Sequence, residues 1–312
     1  MKTIDINQII ERLRSNPTGN DPNIFIAAYF WDKERLKAAK TCYKFMRLID
    51  DLVDNKKAEN PILSCIEKKL LAEKIDNLMG CLQTKKSNDP FIEELINTIY
   101  KYKIPVSLFY RFAQSMQFDI ENDGFKTMDE FLHYSEGAAV MPAAIFVHFC
   151  ALKEIDGEFF APAYDVVEVA RPCALFSYIV HIIRDFEKDQ LNNLNYFAKD
   201  ILNKNGLASS DLKKMAENGK VNEAFRQVVK EYYQQAEVFG SQTMLELFKL
   251  EKIEEKYLFS LQVIFSLYMQ IFERIDLEKG NYTTQEMNPT SNEIQEYLLK
   301  TLESLSSIES HV

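Results

Sequence analysis

The stretch YKFMRLIDDLVD, residues 43–54, combines the apolar spacing of a helix with three aspartates. Apolar side chains recur every three or four residues from Leu36 onward, which predicts a helix over residues 32–54. Asp50 and Asp54 are four residues apart, so their carboxylates lie on one face of that helix. Acidic groups among apolar neighbours destabilise a fold unless a positive group compensates them. The same spacing is common on solvated surfaces, so this stretch alone also fits a surface helix.

A second acidic stretch, HIIRDFEKD (181–189), repeats this arrangement. Asp185 and Asp189 are again four residues apart, and His181 precedes Asp185 by one turn on the same face. The preceding residues, ALFSYIV (174–180), form a nearly continuous apolar run, which predicts a buried helix. A helix that emerges into solvent at its C-terminal end would explain the charges, but it would not explain the repeated spacing.

Helical periodicity dominates the remainder of the chain as well. The TMDE segment (127–130) resembles a capping box that opens a helix. Residues 204–220 are polar and contain two glycines, which predicts a mobile segment, and residues 280–292 are predicted as a loop. Further predicted helices cover residues 62–82, 91–102, 105–119, 162–189, 221–248, 251–278 and 293–305, with a break at Asn60 and Pro61. No repeat or low-complexity linker divides the sequence, so we predict a single all-α domain over residues 1–312, with residues 1–20 and 283–312 peripheral.

Composition narrows the class of protein. The 312 residues carry a net charge of −10, which argues against nucleic-acid binding. Hydrophobic residues make up 46% of the chain, enough for a large core, which excludes wholesale disorder. Glycine and proline number only nine each, fewer than turn-dense all-β folds or glycine-rich nucleotide folds require.

Cysteine usage and hydropathy indicate a cytoplasmic protein. The five cysteines are odd in number and contain no C-x-x-C pair, which fits a reducing compartment. The N-terminus lacks the apolar core of a signal peptide. The longest apolar stretch, residues 138–152, is interrupted by Pro142 and is shorter than the roughly 20 residues that span a bilayer. Peripheral membrane contact stays open, because a very apolar substrate would require it.

Two aspartate pairs on facing helices would present four carboxylates to one cavity. Such oxygen-rich sites suit Mg²⁺, which bridges carboxylates and substrate phosphates. The metal would stabilise a diphosphate leaving group, and the allylic carbocation left behind would need a dry, apolar cavity. Aromatic faces attract a cation, and the chain has 22 Phe and 15 Tyr, although that abundance is also ordinary for a core.

These stretches resemble the motifs of the squalene/phytoene synthase family, the head-to-head prenyl transferases, from about Asn23 to Tyr282. Residues 43–54 are similar to the first aspartate-rich motif of the family, and residues 182–189 to the second. Residues 115–139 look like its central helix pair, and residues 266–282 resemble its C-terminal helix. The positions that match the family motifs are Tyr43, Arg47, Asp50, Asp51, Asp54, Asp119, Tyr134, Arg184, Asp185, Asp189 and Tyr268.

The resemblance implies an all-α isoprenoid-synthase-type helical bundle around a central cavity. It also implies Mg²⁺-dependent condensation of two prenyl diphosphates, farnesyl or geranylgeranyl, to a C30 or C40 product such as phytoene, dehydrosqualene or squalene. Reduction to squalene would need NADPH, and we favour chemistry without a reductant. By resemblance, the metal ligands are Asp50, Asp54, Asp185 and Asp189, the other substrate-binding residues are Arg47, Asp51, Tyr134, His181 and Arg184, and the other catalytic residues are Tyr43 and Tyr268.

The sequence departs from the family pattern at several positions. The family usually has Gln and Asn where this chain has Tyr178 and His181, and His181 as a nitrogen ligand would favour Mn²⁺ over Mg²⁺. The family usually carries an arginine after the second motif, where this chain has Leu194. A basic residue that the family carries shortly after the position of Tyr282 is also missing, and Met287 lies near that place. Two further hypotheses therefore stand beside the synthase: a non-enzymatic binding or assembly protein on the same fold, and a cyclase or hydrolase of a single prenyl diphosphate.

A di-iron bundle would need two E-x-x-H motifs, and the chain has one, at residues 130–133.

Overall fold

A computed structural model describes residues 22–29, 31–60, 62–248, 250 and 253–309. The prediction of an all-α fold is confirmed, with a five-residue π-helical turn at Glu136–Val140 and one small hairpin, β1 (Lys153–Ile155) and β2 (Glu158–Phe160). The α-helices of the described residues are α1 (Asn23–Ile26), α2 (Lys33–Glu59), α3 (Cys65–Thr84), α4 (Pro90–Lys101), α5 (Val106–Glu121), α6 (Met128–Ser135), α7 (Met141–Ala151), α8 (Val166–Arg184), α9 (Phe186–Leu191), α10 (Lys199–Lys204), α11 (Ser209–Asn218), α12 (Glu223–Phe248), α13 (Glu255–Phe272), α14 (Thr284–Met287) and α15 (Ser291–Glu309).

Helix α2 carries the first acidic stretch and is longer than predicted. The Asp32 side chain caps its start by accepting a hydrogen bond from the Arg35 backbone N–H at 2.8 Å. It continues past Asp54 to Glu59, because the following residues include no helix breaker before Asn60 adopts an extended conformation. Phe45, Ile49 and Val53 are buried in the core, and the aspartates occupy another face of the helix.

Helix α8 lies at the centre of the fold and packs against α7, α12, α13 and the π-helical turn. The predicted helix over residues 162–189 is wrong at both ends. It begins only at Val166, where the Asp165 side chain accepts a hydrogen bond from Val167, and it ends at Arg184. The backbone leaves helical geometry at Asp185 (φ −92°, ψ 9°), and the six-residue helix α9 follows. The break therefore falls at the first aspartate of the second acidic stretch.

By length and composition α8 is also the one helix within the described ranges that could cross a membrane. However, 56% of its most apolar window is buried inside the protein, as expected for a core helix. The hydropathy of α8 is thus explained by its central position in the bundle.

Several segments differ from the sequence predictions. In the segment 204–220, predicted to be polar and mobile, most residues form α11, which buries Leu212 and Met215. The predicted loop 280–292 contains the short helix α14. The C-terminal segment is not peripheral up to Leu298, since Met287 and Leu298 are both buried. Residues 1–20, Pro61 and the end of the chain lie outside the described residues.

The π-helical turn brings α5 very close to the chain that enters α7. Gly137 sits at the contact, where an added Cβ would overlap Ser115 Oγ and lie 2.6 Å from the carbonyl oxygen of Arg111. The Ser115 hydroxyl also donates to the carbonyl oxygen of Tyr134 at 3.1 Å. Glycine is therefore required at residue 137 by the close approach of two backbones.

We expect Gly137→Ala to lower the free energy of unfolding by about 2–3 kcal/mol, because the methyl group forces α5 away from the turn. Gly80→Ala is the matched control. Gly80 lies in α3 with no neighbouring atom within 4 Å of an added Cβ, so this change should stabilise the helix by roughly 0.5–1 kcal/mol. Thermal or urea unfolding of both variants measures the difference. Equal effects in the two variants would contradict the close packing at Gly137.

Candidate active site

A cavity of about 920 Å³ runs into the bundle between α2, α8 and α13. One part of its wall is apolar and includes Phe146, Leu261 and Ile264. Another part carries the acidic residues of both stretches. All eleven residues that the sequence predicted for the site line this one cavity: Tyr43, Arg47, Asp50, Asp51, Asp54, Tyr134, His181, Arg184, Asp185, Asp189 and Tyr268.

The two aspartate pairs face each other closely enough to interact electrostatically. Burial, followed by the charges of Asp50 and Asp119, raises the pKa of Asp54 to about 8, and the charge of Asp189 adds to this rise. Burial, followed by the charge of Asp185, raises the pKa of Asp189 to about 8, and Asp50 adds to it from across the cavity. Each pair therefore contains one carboxylate whose charge the protein leaves largely uncompensated.

In the first pair, Asp50 is compensated by arginine. The Arg47 guanidinium donates to Asp50 Oδ2 at 2.5 Å and also to Asp51 Oδ1. Burial still raises the pKa of Asp50 to about 6, with Arg47 acting against the shift. Asp54 has no hydrogen bond or ion pair with any part of the chain that the structure describes, so its oxygens remain available to a ligand.

In the second pair, Asp185 belongs to a closed triangle with Arg184 and His181. Arg184 Nε donates to Asp185 Oδ1 at 2.6 Å, and Arg184 Nη2 lies 3.0 Å from His181 Nδ1. Arginine can only donate, so His181 Nδ1 is the acceptor and the ring proton is on Nε2. His181 Nε2 lies 3.2 Å from Asp185 Oδ2, to which it can donate.

This triangle controls ionisation. Burial alone would raise the pKa of Asp185, but His181 and Arg184 outweigh it and hold that pKa well below its usual range. Burial and the charge of Arg184 lower the pKa of His181, which favours the neutral ring. Both ring nitrogens are engaged, so His181 would have to leave Arg184 or Asp185 before it could bind a metal.

Tyrosines line the same cavity as the acidic groups. Burial raises the pKa of Tyr134, Tyr178 and Tyr268, so these phenols are neutral hydrogen-bond donors at physiological pH. The Tyr178 ring stacks on Phe131 with centroids 5.9 Å apart. Aromatic faces in this position suit a cation near the diphosphate end of a substrate.

Sequence reasoning missed two residues beside the acidic groups. Lys57 is buried and donates to Asp119 Oδ1 at 2.6 Å and to the carbonyl oxygen of Asn122 at 2.9 Å. Its position one turn after Asp54 was a usable signal, but the predicted helix stopped at residue 54. Tyr196 also lines the cavity. In contrast, Glu130 and His133 do not line it, which removes the structural basis for a di-iron site.

The acidic residues fit divalent metal ions that complete their coordination from a substrate. Among the described residues, no three acidic, imidazole or thiol groups form a ready-made chelating cluster. Mg²⁺ commonly takes one or two carboxylates and fills its remaining positions with water and phosphate oxygens. The Asp50–Asp54 and Asp185–Asp189 pairs each offer this donor set, and the raised pKa values of Asp54 and Asp189 mark an excess of negative charge that a cation would neutralise.

The fold and the site together define an isoprenoid-synthase-type helical bundle with two facing aspartate pairs. The chain belongs to the squalene/phytoene synthase family, whose sequence pattern it matches over residues 18–293. Members of this family are prenyltransferases.

Individual relatives are distant. The chain is 22% identical over 261 residues to a chloroplastic phytoene synthase from Narcissus pseudonarcissus, covering 84% of this chain and 58% of the relative. The chain thus spans less than two thirds of that protein. Two crystal structures share the fold: squalene synthase HpnC from Alicyclobacillus acidocaldarius (11% identity, TM-score 0.63, 86% of this chain and 94% of that one) and a dehydrosqualene synthase in complex with ligand (17%, 0.62, 95% and 98%).

The raised pKa values lead to a prediction on stability. The folded protein holds protons on Asp54 and Asp189 up to about pH 8, whereas the unfolded chain releases them near pH 4. The folded state therefore binds more protons in this range, and these two groups make stability fall as the pH rises from about 4 to about 8.

We expect Asp54→Asn and Asp189→Asn each to raise the free energy of unfolding of the metal-free protein by about 1–2 kcal/mol at pH 8.5. At pH 4 the same substitutions should change the free energy of unfolding little. Thermal unfolding in a chelating buffer across this range is the measurement, with the exposed Glu217→Gln as control. Lower stability of the two aspartate variants at pH 8.5 would show that their charges are already compensated.

Proposed function

We propose that this protein catalyses the Mg²⁺-dependent head-to-head condensation of two prenyl diphosphates. The observation that carries the proposal is the pair of uncompensated carboxylates, Asp54 and Asp189, which interact electrostatically and line one cavity together with apolar residues. This arrangement can place a metal-bound diphosphate beside a compartment for a hydrocarbon chain. Membership in the squalene/phytoene synthase family supports the same reaction.

In this proposal, the Asp50–Asp54 and Asp185–Asp189 pairs would hold the metal ions, whose positive charge would stabilise a departing diphosphate. Arg47 and Arg184 donate to the diphosphate oxygens, which suit the forked geometry of guanidinium groups. Asp51 keeps Arg47 on this face of α2, since it accepts from the same guanidinium. Asp50 and Asp185 would exchange part of their arginine contacts for metal when substrate binds.

The rest of the cavity would bind the chains and control the carbocation. The apolar wall excludes water, which would otherwise capture the cation. Tyr43, Tyr134 and Tyr268 offer aromatic faces and neutral phenols beside the reacting carbon atoms. His181 keeps Asp185 ionised and oriented through the hydrogen bond between Nε2 and Oδ2.

We further propose farnesyl or geranylgeranyl diphosphate as substrate and a product formed without NADPH, such as dehydrosqualene or phytoene. Mn²⁺ would replace Mg²⁺ if His181 entered the metal sphere. We place the protein in the cytoplasm, with peripheral contact to a membrane that supplies the apolar substrate. Ile62, Ile66 and Leu70 support such contact, because all three are exposed at spacings of four residues.

The decisive test is incubation with Mg²⁺ and each prenyl diphosphate, without a reductant, followed by measurement of diphosphate release and hydrocarbon product. We expect a C30 or C40 hydrocarbon, and we expect Asp54→Ala and Asp189→Ala to lose at least about a thousandfold in rate, because metal-assisted departure of the diphosphate is lost. Asp76→Ala is the control, since Asp76 does not line the cavity.

The alternatives give different outcomes in the same assay. A shorter cyclic product or a prenyl alcohol would indicate a cyclase or hydrolase of a single prenyl diphosphate. Absence of diphosphate release, together with absence of thermal stabilisation by Mg²⁺ and pyrophosphate, would favour a non-enzymatic binding or assembly protein.

A further inference from the structure

The cations around the cavity differ in what they already bind. Within the described residues, the cavity is lined by three basic side chains: Arg47, Arg184 and Lys188. Arg47 is engaged by Asp50 and Asp51, and Arg184 is engaged by Asp185 and His181. The Lys188 ammonium makes no hydrogen bond or ion pair with the part of the chain that the structure covers. Among these three, Lys188 is therefore the basic group that a ligand in the cavity can bind without breaking a hydrogen bond or ion pair.

The backbone places Lys188 beside the second aspartate pair. The Asp189 N–H donates to the carbonyl oxygen of Asp185 at 2.8 Å, so one helical turn separates the two carboxylates across the break between α8 and α9. Lys188 lies within that turn. Its charge acts on both Asp189 and His181, and in each case it lowers the pKa. The ammonium is thus close to the groups that would surround a diphosphate on this side of the cavity.

Two basic residues that the family usually carries are missing from this chain, which is a further reason to expect another basic group to bind the diphosphate. Leu194 lines the cavity but carries no charge, and Met287 is buried. A diphosphate carries about three negative charges, and the acidic pairs that hold its metal ions repel it. An ammonium on a flexible four-carbon stem can follow the diphosphate oxygens without the fixed geometry that arginine requires.

We propose that Lys188 binds the diphosphate group of the prenyl substrate, in place of the basic residues that Leu194 and Met287 replace. The inference rests on the proposed function, since it assumes that a metal-bound diphosphate occupies the cavity beside the two aspartate pairs. The same contact forms with inorganic pyrophosphate, which shares this chemistry and is the released product.

The test compares binding of pyrophosphate in the presence of Mg²⁺, measured by calorimetry, with steady-state kinetics on the prenyl diphosphate. We expect Lys188→Met to weaken pyrophosphate binding about tenfold, as for the loss of one charge-assisted hydrogen bond. Lys188→Glu should weaken it further, and Lys188→Arg should remain within about twofold. Lys188→Met should raise KM for the prenyl diphosphate with little change in kcat, which separates a role in substrate binding from a role in pyrophosphate release alone.

Lys69→Met is the matched control, because Lys69 is 78% exposed on α3 and does not line the cavity. The melting temperature without ligand should change little between wild type and Lys188→Met, since Lys188 makes no hydrogen bond or ion pair with the part of the chain that the structure describes. If wild type binds pyrophosphate and both Lys188→Met and Lys188→Glu bind it equally well, the role of Lys188 is wrong and the proposed function stands. If wild type binds no pyrophosphate with Mg²⁺, the proposed function and the role of Lys188 both fall.

Discussion

The structure depends on holding several aspartates against one another in a partly closed cavity. Such groups repel each other and lose hydration, and both effects favour the protonated form. The protein offsets these effects for only some of them: Arg47 binds Asp50 and Asp51, whereas Arg184 and His181 bind Asp185. Asp54 and Asp189 receive no comparable partner, and their pKa values rise to about 8. The unliganded site therefore carries an electrostatic strain that a divalent cation would relieve.

The surrounding fold supplies the rigidity that this strain requires. The Lys57–Asp119 pair ties α2 to α5 immediately behind Asp54, with both side chains buried. Removing one member of such a pair would leave a buried charge without a partner, which is strongly unfavourable. On the opposite wall, the close approach at Gly137 sets the distance between α5 and the turn that follows Tyr134. These contacts fix α5 against α2 and against the π-helical turn, and that turn packs on α8.

Much of this arrangement could be predicted from sequence because it is local. The spacing of Asp50 to Asp54 and of Asp185 to Asp189 is a property of one helix turn, and each pair reaches the cavity as a unit. What could not be predicted depends on tertiary contacts. The polar segment that forms α11 is helical because Leu212 and Met215 are buried against the rest of the protein. The local composition of the segment does not show that such a surface exists. Similarly, α8 ends at Arg184 although the apolar periodicity continues through Phe186 without a break, and α9 packs against α11.

The exchange of an amide for an imidazole at residue 181 changes how charge is distributed over the second pair. An asparagine could offer its carbonyl oxygen directly to a metal ion, whereas His181 accepts from Arg184 through Nδ1 and faces Asp185 through Nε2. The consequence is an Asp185 that remains ionised over the whole physiological range, next to an Asp189 that does not. The first pair has the same asymmetry, since Asp50 has its arginine and Asp54 has none. In both pairs the compensated aspartate lies one turn before the uncompensated one. A cation that binds in the cavity therefore competes with protons mainly at Asp54 and Asp189, less at Asp50, whose pKa is about 6, and not at Asp185.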